Sequence, residues 1–514
     1  MNILYNIQNV QQIKKMQQIQ QMQQIQQMQQ MQQIQQMQQM QQMQQIQQIK
    51  QMQQMQQMQQ MQQMQQMQQM QQIQQIKQMQ QMQPNPENQY VQITEMNKTP
   101  QDNTVTNQVK LLKPFYKIKH HTQMNNQLAD KITPQAIHPL INPSIDPTIS
   151  QTNFTAKQLI KLYNIPTVTK STPNTRQVVI AIIIAYRCPT IQKDLNTYWQ
   201  STLNFGPSSI APTVNVYTFP GTPVNTNWNI EECLDVQIVA TANPNAKIWV
   251  VEAKSESNVD LNNAIMYASN IINADIISCS WGCDDTQRLI SDNNVFINPK
   301  SSSNYKCFCV SSGDNNSVCW PSVLSNVISV GGSSLIWDPT PSNNTSRIEF
   351  TWPDAGCGYS TSVSKPSYQN NVNTNLYRAT PDIALIANPL TGVTIYSNGE
   401  WYSVGGTSLS CPLFAGILSL ATQMRFNLRK TPLTSVYTET PTVNNIPAKI
   451  PPTNIQNFLY NTIYNSPSLK SSCLTDINIG SDGIYLAKTG YDIATGLGSP
   501  NATNLCKALA LNMP

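Results

Sequence analysis

Residues 177–185 read QVVIAIIIA, an unbroken apolar and largely β-branched run after its first position. A strand with one wet face alternates apolar and polar residues, so a continuous run suits a strand buried on both faces of a parallel sheet. Similar runs recur at 247–252 (KIWVVE), 274–278 (ADIIS), 307–311 (CFCVS) and 327–330 (VISV). Helical patterns separate the first of them. In 230–242, Ile230, Leu234 and Ile238 step by four. The stretch 155–163 has helical spacing that Pro166 stops. This alternation predicts an α/β fold, a doubly wound and mostly parallel sheet with helices on both faces.

The N-terminal part has a different texture. From about Gln11 to Gln83 the chain repeats one Met or Ile followed by Gln-Gln. A period of three drifts by about 60° per repeat on a helix of about 3.6 residues per turn, so the apolar stripe spirals and makes no fixed seam. Residues 1–86 are read as a low-complexity tail, with self-association through its glutamines as the sharper alternative. Pro84 and Pro86 close it, and polar, Asn/Thr/Gln-rich chain follows. The division is therefore 1–86 repeat tract, 87–150 polar linker or vestigial pro-region, and 151–514 folded domain.

Only 11% of residues are charged and the net charge is +5, too sparse for the basic field of a nucleic-acid binder. No stretch approaches the roughly 20 apolar residues of a membrane span, and no signal peptide is evident. The compartment stays open, an acidic one or a virus particle included. All 11 cysteines lie from Cys188 onward, and an odd count leaves at least one unpaired. Clusters at Cys307, Cys309, Cys319 and at Cys279, Cys283 lack a nearby histidine, so buried thiols or a few disulfides are favoured there over zinc.

Gly405-Gly406-Thr407-Ser408 precedes Pro412 and a continuous apolar stretch that reads as a buried helix. Proline is tolerated in the first turn of a helix, which places Ser408 at a helix N-terminus, where developing negative charge is favoured. A serine nucleophile normally borrows an imidazole, yet none of the 3 histidines lies beyond His138. Either Ser408 is a helix cap or a carboxylate replaces the histidine. Glu231 and Asp235 share one helix face, where like charges disfavour each other and one holds a proton. Two solvated acids on an exposed face is the plainer reading of that spacing. Asp314 follows the run 307–311 at a carboxyl strand end, where functional groups collect, although Gly-Asp is also a common turn. The Gly-x-Ser-x-Gly pattern of α/β-hydrolases is not met.

Together and in this order, these segments resemble the sedolisin family of serine-carboxyl peptidases, which have a subtilisin-like fold. Gly406-Thr407-Ser408-x-x-x-Pro412, Glu231-x-x-x-Asp235 and Ser312-Gly313-Asp314 carry the likeness. Trp320-Pro321-Ser322, Pro366-Ser367-Tyr368-Gln369, Pro381-Asp382-Ile383 and Asn388-Pro389 extend it over roughly Thr155 to the C-terminus. The resemblance implies Ser408 as nucleophile, Glu231 as general base, Asp235 as its orienting partner and Asp314 as oxyanion stabiliser. Glu232 competes with Glu231 for the base role. Carboxylates serve an alcohol as bases in acid, so an acid-acting endo- or tripeptidyl-peptidase with a peptide or protein substrate follows.

The resemblance also implies one structural Ca²⁺, held by Asp476 and Asp492 side chains and by the carbonyls of Ile477, Lys488 and Gly490. Lys488 stands where the family usually has glycine. The family's large folded propeptide and secretory signal have no counterpart in the tract and the polar stretch. The alternative is a catalytically inactive sedolisin-like module with a structural or interaction role. All the family's catalytic positions are filled, which favours the enzyme.

Overall fold

The computed structural model describes residues 113–114, 117–122, 153–166, 170–285, 294–296, 306–337, 347–436, 442–443, 446–447 and 454–513. The repeat tract, and with it the self-association reading, lies outside them.

Strands β1 (Lys113–Pro114) and β2 (Lys117–Thr122) come first. Helix α1 (Ala156–Leu162) starts at a capping box, in which the Thr155 side chain accepts from the Gln158 N–H and the Gln158 side chain accepts from the Thr155 N–H. There follow β3 (Val179–Ala185), α2 (Ile191–Gln200), β4 (Val214–Thr218) and α3 (Thr226–Ala242). Next come β5 (Lys247–Ala253), α4 (Asn258–Asn270), β6 (Ile276–Cys279), β7 (Trp281–Asp284) and β8 (Cys307–Ser311). The chain continues through β9 (Val327–Ile336), β10 (Ile348–Thr351), β11 (Ile383–Ile386), β12 (Val393–Ser397) and β13 (Glu400–Gly405). It reaches α5 (Thr407–Asn427) and ends on α6 (Ala502–Leu511).

The central sheet has the order β10-β9-β8-β6-β3-β5-β4, with β11 also beside β9. Its pairings are parallel except β9 with β10. Ile182, Ile183 and Ile184 on β3 are fully buried although neighbouring side chains point to opposite faces. Both faces are therefore covered, as the unbroken run required. Each such isoleucine contributes about 1.5–3 kcal/mol relative to exposure.

Helix α3 is buried on all sides from Trp228 to Ala242, so its acids do not lie on a wet face. It packs on α5, where a Cβ at Gly416 would overlap Ala242. Pro412 sits in the second turn of α5, not the first as the sequence implied. Lacking an N–H, it cannot bond the carbonyl of Ser408, and the apolar packing of α5 carries the helix through the gap.

The stretch expected as polar linker adds β2 to the edge of β13, antiparallel, with His120 opposite Ser403 and His121 opposite Tyr402. Backbone pairing needs no apolar side chains, so hydropathy gave no sign of it. Two histidines thus lie on a strand beside the one that leads to Ser408.

Candidate active site

Gly406 caps α5 with φ of +108°, a conformation that only glycine adopts readily. A side chain at Gly405 would overlap the carbonyl of Ala387. The two glycines let the chain leave β13 and turn at once into α5, which sets Ser408 in its first turn. Ser408 is fully buried, and its Oγ donates to the carbonyl of Ser280 at 3.2 Å. Ser280 directly follows β6 at the carboxyl end of the strand.

Glu231 and Asp235 approach from α3, and both are fully buried. Asp235 Oδ1 accepts from Ser280 Oγ at 2.8 Å, while Oδ2 has no partner. Ser280 therefore links the acid pair to Ser408, with its hydroxyl on one and its carbonyl on the other. Burial pushes the Glu231 pKa well above the usual carboxylate range, the charges of Asp235 and Asp314 raise it further, and the Ser408 hydroxyl pulls it down. Neither Glu231 oxygen makes a hydrogen bond of ordinary length and angle. Burial likewise holds Asp235 well above its ordinary value, against the opposing bond from Ser280. Desolvation of both acids and the repulsion between their charges favour keeping a proton on this pair.

Asp314 reaches the same place from the carboxyl end of β8. Its Oδ1 accepts from the Thr407 N–H and the Thr407 hydroxyl, each at 2.8 Å, and Gly313 N–H donates to Thr407 Oγ1 at 3.2 Å. Asp314 is thereby docked onto the start of α5, one residue from Ser408.

Glu232 points elsewhere. Successive helix residues diverge by about 100°, and the charges acting on Glu232 are chiefly those of Cys188, Glu252, Asp235 and Asp194, after burial itself. Sequence reasoning missed Ser280 and Thr407. The available sign was position, since Ser280 stands at a carboxyl strand end and Thr407 beside the candidate nucleophile.

The predicted calcium ligands also meet. Asp476 Oδ2 accepts from Gly490 N–H at 2.9 Å, and Asp492 Oδ2 from Lys488 N–H at 3.1 Å. Asp492 Oδ1 accepts from the Thr495 N–H and hydroxyl, and Thr495 Oγ1 reaches the Ile477 carbonyl at 3.4 Å. Lys488 is not among the residues with positive φ, so its backbone has no need of glycine. Burial raises the Asp492 pKa, backbone donors offset part of this, and the Asp476 charge adds to the rise. Two acids that repel, beside backbone carbonyl oxygens, form a donor set of the hard-oxygen kind that suits Ca²⁺.

Strand β1 pairs antiparallel with β7, Lys113 opposite Gly282 and Pro114 opposite Trp281. The upstream chain therefore lies along the strand that begins just after Ser280. All 11 cysteines lie among the described residues, are buried and form no disulfide. Among the described residues no helix is long and apolar enough to cross a membrane.

The subtilase family profile (Peptidase_S8) matches residues 221–473. The chain is 27% identical to sedolisin of Pseudomonas sp. (strain 101) over 320 residues, 55% of this chain and 49% of that protein. It is 27% identical to tripeptidyl-peptidase 1 of Homo sapiens over 317 residues, 54% of this chain and 52% of that one. It thus spans about half the length of the curated relatives it matches. A solved structure of Pseudomonas sedolisin, a serine-carboxyl proteinase, superposes with a TM-score of 0.57 at 23% identity, covering 70% of this chain and 99% of the other. That likeness shows a shared, subtilisin-like fold.

Proposed function

Because the chain belongs to the sedolisin family, we propose that it is a serine-carboxyl peptidase that hydrolyses peptide bonds in acid. The observation that carries this reading is the buried acid pair beside Ser408, whose Glu231 is acted on by the charges of Asp235 and Asp314. In this reading Glu231 takes the Ser408 proton as the hydroxyl attacks the scissile carbonyl. Asp235, oriented by Ser280, shares that proton with Glu231. Asp314, docked on Thr407, faces the developing oxyanion as a protonated acid and donates to it. The N-terminus of α5 favours the same negative charge.

The pair is competent while it holds one proton. Below the first ionisation no base is available, and above the last the shared proton is gone. Ser408 is buried and β1 occupies the edge of β7. A substrate backbone pairing along that edge therefore has to displace Lys113–Pro114. We assign one Ca²⁺ to Asp476, Asp492 and the carbonyls of Ile477, Lys488 and Gly490, where it would neutralise the repelling acids and brace the C-terminal loops.

Hydrolysis of a denatured protein at about pH 4 and about pH 7, by wild type and Ser408→Ala in the presence of Ca²⁺, tests the reading. Cleavage in acid that disappears in Ser408→Ala is expected. Folded wild type that cleaves at neither pH contradicts it.

A further inference from the structure

Helix α3 also carries part of a second group of buried side chains, of types that can ligate a metal, that the proposed chemistry does not use. Cys188 follows β3, Asp194 lies in α2 and Cys233 lies in α3, adjoining Glu232. Their ligand atoms all fall within 4.8 Å of one another and all three residues are buried. Bonds of about 2.3 Å to sulfur and about 2.1 Å to oxygen at a tetrahedral angle place S and O about 3.6 Å apart around zinc. Cys233 Sγ stands 3.6 Å from Asp194 Oδ2. Asp194 Oδ2 is the oxygen that faces Cys233, and it is fixed in place by accepting from Thr190 Oγ1 at 2.7 Å and from Asn398 N–H at 3.1 Å.

Glu232, next to Cys233 in the chain, adds an uncompensated carboxylate beside the group without being one of its three ligands. Glu232 is 1% exposed and its Oε1 has no hydrogen-bond partner. A buried, unpartnered carboxylate oxygen is costly, and a cation removes that cost. Thiolates select a soft or borderline ion over the hard ions that oxygen-only sites take.

We propose that Cys188, Cys233 and Asp194 bind one zinc ion, which ties the carboxyl end of β3 and helix α2 to helix α3. Both thiols give up their protons when the ion binds, so occupancy is measured at neutral pH. The ion holds in place the helix that presents Glu231 and Asp235 on its other side.

The test is the metal content of the full-length protein, produced with zinc, desalted at neutral pH and assayed by elemental mass spectrometry. Wild type is expected to retain about one zinc per chain. Cys233→Ser and Asp194→Asn are expected to retain roughly tenfold less or lower still, with an unchanged far-ultraviolet circular dichroism spectrum. Cys473→Ser, which alters a buried thiol elsewhere, should keep the ion. Cobalt in place of zinc should give thiolate-to-metal charge transfer and tetrahedral d–d bands that Cys188→Ser abolishes, which covers the case of a variant that misfolds. Folded wild type without zinc, undiminished zinc in both variants, or a mapped Cys188–Cys233 disulfide in the isolated protein overturns the site. Metal is read directly, so none of these outcomes depends on Ser408 being a nucleophile.

Discussion

Two buried carboxylate centres in this molecule are built on opposite plans. Asp382 shares the core with Arg378, neither side chain exposed, and the two meet through paired bonds of 3.0 and 2.7 Å. The Tyr460 hydroxyl and Ser329 N–H, each at 2.9 Å, complete its shell. Burial alone would lower the Arg378 pKa, but Asp382 and Tyr368 more than reverse this and hold the guanidinium charged. Glu231 and Asp235 are buried as deeply, yet their neighbours include another acid, and both Glu231 oxygens and Asp235 Oδ2 have no bond of ordinary geometry. A satisfied carboxylate with a cation fixes structure. One left short of partners, beside a hydroxyl at a helix N-terminus, is what the proposed proton transfer calls for. Partners, more than burial, separate the two roles.

Substitutions should pull the two centres apart. The largest effect is expected for Ser408→Ala, a loss of roughly 10⁶ in kcat with an unchanged melting temperature. A comparable loss of stability would place Ser408 with the structural group. Arg378→Ala should do the reverse, costing about 3–5 kcal/mol in unfolding free energy because it strands the Asp382 charge. Denaturant unfolding reads this directly, and a cost below about 1 kcal/mol would remove the contrast.

Asp476 and Asp492 stand between these extremes, with backbone N–H donors in place of a protein cation. Saturating Ca²⁺ should stabilise the wild type by about 2.7 kcal/mol at a hundred times its dissociation constant. Chelation should lower the melting temperature of wild type and leave Asp476→Ala unmoved. Equal responses in the two proteins reject the site.

The smallest effect is a slope. Glu231 and Asp235 have folded pKa values above their unfolded ones, so they hold protons in the folded state that the unfolded chain has already released. Their contribution to stability is complete below the unfolded values near 4 and is lost as pH rises through the folded ones. Glu231→Gln should therefore flatten the decline in stability above about pH 4 by up to about 1.4 kcal/mol per pH unit. Parallel curves would show that Glu231 does not carry the proton.

Much of this is legible in the sequence. The run at 178–185 dictates a strand covered on both faces, because every residue in it is apolar. Glu231, Asp235, Asp314 and Ser408 were legible as an ordered set, though no one of them alone. Burial of the α3 acids was not, since Ile230, Leu234 and Ile238 imply one apolar face and give no warning that α5 closes over another. Strand β2 was hidden because its pairing is made by backbone groups. The Cys188, Asp194 and Cys233 cluster was hidden because sequence separates residues that β3 and α3 bring side by side. Pro412 misled, because packing against α3 and the sheet overrides the cost of a proline one turn further in.

The central claim is that carboxylates, not an imidazole, activate Ser408. The direct measurement is kcat/KM against pH on a denatured protein substrate, for wild type and Glu231→Gln. Burial and mutual repulsion raise the pair, so wild type should give a bell in acid whose upper limb lies above the ordinary glutamate value of about 4.3 and falls toward neutrality. Glu231→Gln should lose about 10²–10⁴ of that rate across the range. A rate centred on neutral pH, untouched by Glu231→Gln and lost on replacing His120 or His121 of β2, would contradict the account.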